Sequence, residues 1–378
     1  MFLSTSKALI FSLLLGISVF SQANDQKTHY VDIKSQFTKQ PLSVSITLPA
    51  NFKDNADQHY IALYTTAGDR RLRSMIEQID WMSHVSFGPI PPLIIVQLPY
   101  IAAPNEQQGK DVQASGLNTK LTIKILEHEI LPQINERYQL LPFSILEGYS
   151  TNANLPLNIL ADAPHLFNAY ISINPAWVLD KSNLMARIKQ QLTSNQLKFR
   201  SAYISLGSFI QNSNAFKDLS AFNHQTKSQL ILDLDNQSHI NYYTAPMTLL
   251  PKALEQVFAD RNPKDLSLMA KEGIPAVNRY YKSLERKYGY ALSPVNTLHD
   301  LSDYYGQHHQ LASQIEILEY ILTLKPDNIY YRTILANVHL ENNQPALYKK
   351  VISKALMLAQ SQSNQEAIDY IQRIIDRN

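Results

Sequence analysis

Residues 41–50 alternate, with Leu42, Val44, Ile46 and Leu48 apolar and Ser43, Ser45 and Thr47 polar. A period of two over that length predicts a strand with one face on the core and one in water, near a sheet edge. Residues 60–64 and 93–98 are short apolar runs rich in β-formers, each followed by a turn signal, Gly68 and Pro99. They predict buried strands of a mostly parallel sheet. Residues 143–146, 169–173, 202–206 and 229–234 extend the series. Between these runs the period changes. Leu121, Ile125, Leu126, Ile130, Ile134 and Tyr138 recur at helical spacing, and residues 155–161 also read as a helix. Strands alternating with helices argue an α/β fold with helices on both faces of the sheet.

After about residue 262 the strand-like runs stop and the pattern becomes helical. A 34-residue offset pairs Leu301 with Leu335, Leu318 with Ile352 and Ile321 with Ala355, with Pro326 between the two units. The pattern resembles tetratricopeptide repeats, helical hairpins that stack to bury their apolar faces. It is degenerate, with Ser302 at a position usually filled by glycine or alanine and His339 at an aromatic one. Ile368, Ile371 and Ile375 predict a capping helix. Two units and a cap are few for independent stability, so residues 263–378 are expected to pack on the domain that precedes them.

Composition narrows the function. The 378 residues, 45% hydrophobic, suffice for two globular units with cores. A formal charge of +2 gives no field that would point to nucleic acid. Cysteine is absent, which excludes disulfides, thiolate metal sites and a cysteine nucleophile. Glycine is sparse, at 10 residues, yet Gly68, Gly148 and Gly207 each follow a predicted strand closely. In an open α/β sheet that is the side where ligands bind. At the N-terminus Lys7 precedes an apolar run, residues 8–20, and Ser21-Gln22-Ala23. This predicts a signal peptide, residues 1–23, cut after Ala23 and leaving a periplasmic or secreted chain. No later segment predicts a membrane span.

The candidate chemistry lies at residues 148–153, Gly-Tyr-Ser-Thr-Asn-Ala, between a predicted strand and a predicted helix. A serine on such a turn is the nucleophile elbow of the α/β-hydrolases, G-x-S-x-G; here the last position is Asn152. Around it stand Glu129-Ile130-Leu131-Pro132-Gln133-Ile134, Tyr138 and the run from His165 to Trp177 that includes Asn174-Pro175. Upstream is Tyr64-Thr65-Thr66-Ala67-Gly68-Asp69. Downstream, Ser238-His239 is followed by Pro246, Leu249-Leu250 and residues 254–258. In order and spacing, this set resembles the putative-esterase family of α/β-hydrolases, the enterochelin-esterase-like and esterase-D-like group, over about residues 40–262. Some members carry tetratricopeptide-like helices after the catalytic domain.

The resemblance implies a three-layer α/β-hydrolase sandwich with a mostly parallel sheet, residues 24–262, followed by a small all-α helical-repeat region. It implies Ser150 as nucleophile, His239 as general base, and an oxyanion hole of backbone N–H groups from Thr151, Gly68 and Asp69. The substrate is expected to be a small-molecule ester, with no cofactor, metal or nucleic acid. Several positions depart from the family. Asn152 and Ala153 replace glycines, Ala67 an aspartate, and Tyr149 a histidine. Phe209 stands where the triad acid is expected, leaving Asp218, Asp233 and Asp235 as the nearest substitutes. Losing the acid alone costs about 10⁴-fold in serine proteases. Two expectations therefore stand: an exported carboxylic-ester hydrolase, or a catalytically degenerate binding or scaffold protein with a protein partner on its helical tail. Arg70, Arg71 and Arg73 read as the start of a solvated helix in preference to an anion contact.

Overall fold

The computed structural model describes residues 28–53, 59–99, 101, 118–177, 183–207, 212–263 and 265–377. The expected signal peptide and Phe209 lie outside the described residues. Eight strands form one sheet: β1 (Thr28–Lys34), β2 (Pro41–Thr47), β3 (Ile61–Thr65), β4 (Leu93–Gln97), β5 (Ser144–Tyr149), β6 (Ala169–Ile173), β7 (Ser201–Leu206) and β8 (Ile231–Asn236). Their order is β1-β2-β4-β3-β5-β6-β7-β8. β2 runs antiparallel to both β1 and β4, and all other pairs are parallel.

Parallel neighbours require crossovers, and the helices supply them on both faces. The central strands consequently have two dry faces, which is why they read as unbroken apolar runs. Ile61, Leu63, Ile145 and Ile171 point to one layer, with α1 (Asp69–Ser83) and α7 (Ala245–Val257). Ala62, Tyr64, Leu146 and Tyr170 point to the other. There they meet α2 (Thr119–Ile125), α3 (Leu131–Tyr138), α4 (Asn154–Asp162), α5 (Leu184–Leu192) and α6 (Ser213–Thr226). The helix predicted over 121–138 is α2 and α3 joined by one π-helical stretch, Leu126–Ile130.

One strand escapes the sequence pattern. β1 is the outer edge, and only one of its faces is covered: His29, Val31 and Ile33 alternate with the exposed Thr28, Tyr30, Asp32 and Lys34, but the covered face carries just two apolar residues, too few to stand out in the sequence. Its pairing makes β2 the second strand in, and Ser45 and Thr47 are buried where alternation predicts a wet face.

The C-terminal region is all-helical: α8 (Met269–Glu272), α9 (Ile274–Tyr288), α10 (Val295–Gln307), α11 (Leu311–Leu324), α12 (Ile329–Glu341), α13 (Pro345–Ser361) and α14 (Gln365–Arg377). α12 begins 34 residues after α10, and α13 begins 34 residues after α11. Leu301 and Leu335, Leu318 and Ile352, and Ile321 and Ala355 are all buried, so offset-related positions have the same burial. The core of the α1–α7 layer runs without a break through α9, α10 and α11 into α12. At that junction the Tyr288 ring lies 4.8 Å from Phe143, the residue before β5, and stacks on Phe258.

Candidate active site

β3 and β5 are parallel neighbours with Thr65 opposite Glu147. Three residues beyond that pair the two chains reach Gly68 and Ser150, so the two expected oxyanion segments lie at the same end of adjacent strands. Gly68 is the N-cap of α1, in an extended conformation and without a side-chain cap. Asp69 opens the helix, and its carboxylate accepts a 3.3 Å bond from Gln97 Nε2. A 3₁₀ turn, Ser150–Ala153, follows β5 directly and also lacks a side-chain cap. Thr151 is its second residue. Uncapped helical starts leave N–H groups free to meet negative charge.

Ser150 has φ of 62°, in the left-handed region. For a residue other than glycine this conformation is uncommon and costs of order 1–3 kcal/mol. Gly148 makes the sharp turn fit, because a Cβ there would lie 2.3 Å from the Asn152 carbonyl oxygen. Asn152 itself carries no positive φ. Its side-chain amide donates to the Thr66 carbonyl oxygen at 3.2 Å, tying the elbow to the loop after β3. The asparagine that breaks the glycine pattern is thus absorbed as a bridge between the turn after β5 and the loop after β3. Ser172 Oγ donates to the Ala153 carbonyl and fixes the far end of the turn.

The group bonded to Ser150 is a tyrosine. Tyr242, on the turn between β8 and α7, donates its phenol proton to Ser150 Oγ at 2.8 Å. His239 lies on the same turn, exposed, and among the described residues it makes no hydrogen bond or ion pair. None of the three aspartates named as possible acids pairs with it among the described residues. Asp218, on α6, is exposed and pairs with Lys189 of α5. Asp235, at the end of β8, takes Lys252 Nζ at 2.7 Å, Gln237 Nε2 at 2.7 Å and the Tyr203 hydroxyl. Burial acts to raise the Asp235 carboxyl, but the bonds from Lys252, Tyr203 and Gln237 outweigh it and hold its pKa low. Asp233 is raised by burial and by the charge of Asp235.

Beneath the elbow is an ion pair that sequence reasoning missed. Glu147 is fully buried in β5 and grips Arg71 of α1 through both carboxylate oxygens, at 2.7 and 2.9 Å. Thr65 Oγ1 donates to the same carboxylate at 2.6 Å. Arg71 is therefore turned inward, unlike the exposed Arg70 and Arg73. Its guanidinium lies 5.7 Å from the centre of the Tyr149 ring. Tyr149 in turn donates to the Tyr242 carbonyl oxygen at 2.5 Å, with the two rings 5.1 Å apart. Burial first, then neighbouring Tyr242, push the Tyr149 phenol well above the ordinary tyrosine value. A carboxylate between the apolar run 143–146 and the elbow is the one sign in the sequence of this unit; nothing marks Tyr242.

The model of a family described as "Putative esterase" matches residues 35–234. No curated protein sequence matches the chain. Among solved structures, an IroE-like serine hydrolase from Shewanella oneidensis aligns with a TM-score of 0.60 at 14% identity, covering 78% of this chain and 98% of its own. An uncharacterised protein from Capnocytophaga ochracea aligns with a TM-score of 0.61 at 13% identity, covering 92% of this chain and 100% of its own. The BES protein from Bacillus cereus gives 0.51 at 15% identity, over 61% of this chain and 94% of its own. At these identities the likeness is one of fold. The second match covers too much of this chain to leave out its C-terminal helices.

Proposed function

Since the chain belongs to the putative-esterase family of α/β-hydrolases, we propose that it is an exported serine hydrolase acting on carboxylic esters of small molecules. Ser150 is the nucleophile, His239 the base, and the N–H groups of Thr151, Gly68 and Asp69 the oxyanion hole. The observation that carries this reading is φ of 62° at Ser150. A left-handed serine between a parallel strand and a helical turn is the strained geometry that lifts a nucleophile clear of its sheet.

In the first step His239 takes the Ser150 proton as Oγ attacks the ester carbonyl, and the imidazolium returns it to the leaving alkoxide. Water then repeats the sequence on the acyl-enzyme. With no carboxylate on His239 among the described residues, the pair works as a dyad, and turnover is slow by comparison with a full triad. A serine-directed fluorophosphonate probe is expected to label the full-length protein, and short-chain nitrophenyl esters to be hydrolysed. Ser150→Ala removes both. Absence of label and of hydrolysis in the unaltered protein overturns the reading.

A second reading, a ligand-binding protein that has lost turnover, is favoured by one observation: the hydroxyl on Ser150 comes from a tyrosine while His239 has no hydrogen-bond or ion-pair partner among the described residues. It predicts ligand binding that survives Ser150→Ala unchanged. On either reading the α10–α13 hairpins serve as a tetratricopeptide-like tail for a protein partner, supported by the 34-residue offset of their helix starts.

A further inference from the structure

We propose that Tyr242 is a catalytic residue of this site, a side-chain member of the oxyanion hole. It donates to Ser150 Oγ at rest and to the substrate carbonyl oxygen once the tetrahedral intermediate forms. This rests on the serine-hydrolase reading given above.

The first ground is position. The Tyr242 hydroxyl donates to Ser150 Oγ at 2.8 Å. When Oγ bonds to a carbonyl carbon, the former carbonyl oxygen stands two bonds from Oγ. A donor already resting on Oγ reaches that oxygen by a small rotation of its O–H. Electrostatic catalysis asks for donors aimed at the place where charge develops.

The second ground is preorganisation. The backbone of Tyr242 is tied to β5, because Tyr149 donates to its carbonyl and stacks obliquely against its ring. Tyr149 immediately precedes the nucleophile, so the donor is held by the chain that carries its acceptor. Arg71 lies over Tyr149 and is fixed by Glu147. Tyr149 is half-buried and its phenol is raised well above the ordinary tyrosine value, so its bond persists through the pH range in which an esterase works.

The step balances with Tyr242 serving only as a hydrogen-bond donor. His239 takes the Ser150 proton, the Oγ–C bond forms, and the carbonyl π pair moves onto oxygen, where Tyr242 O–H and the Thr151 N–H meet it. Collapse restores the carbonyl and breaks the bond to the leaving oxygen, which takes the proton from His239. Tyr242 then returns to Oγ of the free serine after the acyl group is hydrolysed by water.

The test compares the full chain with Ser150→Ala, Tyr242→Phe and Tyr149→Phe on 4-nitrophenyl acetate, with fluorophosphonate labelling alongside. Tyr242→Phe removes one hydroxyl and is expected to lower kcat by about 10²–10³, the usual cost of one oxyanion donor. KM is expected to stay within about threefold, because the lost bond is made only in the transition state. Tyr149→Phe keeps the donor but loosens its turn. It is expected to lower kcat by about tenfold, as a modest misplacement does, and it serves as the readout if Tyr242→Phe does not fold. Turnover that depends on Ser150 but is unchanged or faster in Tyr242→Phe overturns the proposal and leaves the hydrolase reading standing. No turnover and no labelling in the unaltered protein overturns both.

Discussion

At Glu147 a carboxylate with no exposed surface accepts three hydrogen bonds, two from Arg71 and one from Thr65. Removing one partner of such a pair leaves the other charge buried and unmatched, which costs about 3–5 kcal/mol. Glu147→Ala is expected to lower the unfolding free energy by about that amount, read from urea denaturation. Replacing both charges, Arg71→Met with Glu147→Met, is expected to recover most of it, since well-packed apolar pairs substitute for buried ion pairs at little net cost. The sequence made some of this legible. Ser150 and Gly148 stood out because a tight turn restricts which residues can occupy it. Glu147 directly follows an apolar run, but its partner comes from a helix 76 positions earlier, a distance that no local pattern bridges. Tyr242 is one of 21 tyrosines, and nothing in its neighbours distinguishes it until the fold brings it to Ser150.

Elements were legible in proportion to how their burial is patterned. β3 to β7 each showed a compact apolar run because both of their faces, or nearly so, are covered by helices. β1 showed none, since an edge strand spends most of its side chains in solvent. Helix ends depend on finer signals, and Gly289 illustrates one. It terminates α9 in the left-handed conformation, φ 76°, and a Cβ added there would lie 2.7 Å from Pro142 Cγ. The glycine thus serves two purposes, ending the helix and letting it dock beside the segment that enters β5. Gly289→Ala pays the left-handed penalty of about 1–2 kcal/mol and must also displace the proline ring. Its melting temperature is expected to fall by a few degrees, about 1–2 °C per kcal/mol for a chain this long, with the site chemistry of the folded fraction unchanged.

The division at residue 262 is clear in the pattern of the sequence and absent from the core. Strand-like runs stop there, yet the buried cluster that begins at β3 and α1 continues through Tyr281, Leu284 and Tyr288 of α9 and into α10 to α12. Tyr288 is fully buried between Phe143 and Phe258, and its hydroxyl donates to Asp260 Oδ1 at 2.6 Å. Lys287 pairs with the same carboxylate at 2.8 Å, and Asn296 Nδ2 reaches the Ser86 carbonyl oxygen at 2.8 Å. Pattern periodicity records which element a residue belongs to, and carries no information on which elements share a core. A chain ending at residue 262 would uncover Phe143 and Phe258, the aromatic floor from which β5 rises to Ser150. Large apolar surface of that kind, exposed on a folded layer, drives aggregation. Residues 24–262 alone are therefore expected to be insoluble or to lack a cooperative melt, whereas the full chain unfolds in one transition seen equally by circular dichroism and tryptophan fluorescence. A soluble, cooperatively melting fragment that still takes a fluorophosphonate label would mean the helices are an appendage. The shared core argues that they are the base on which the elbow is held.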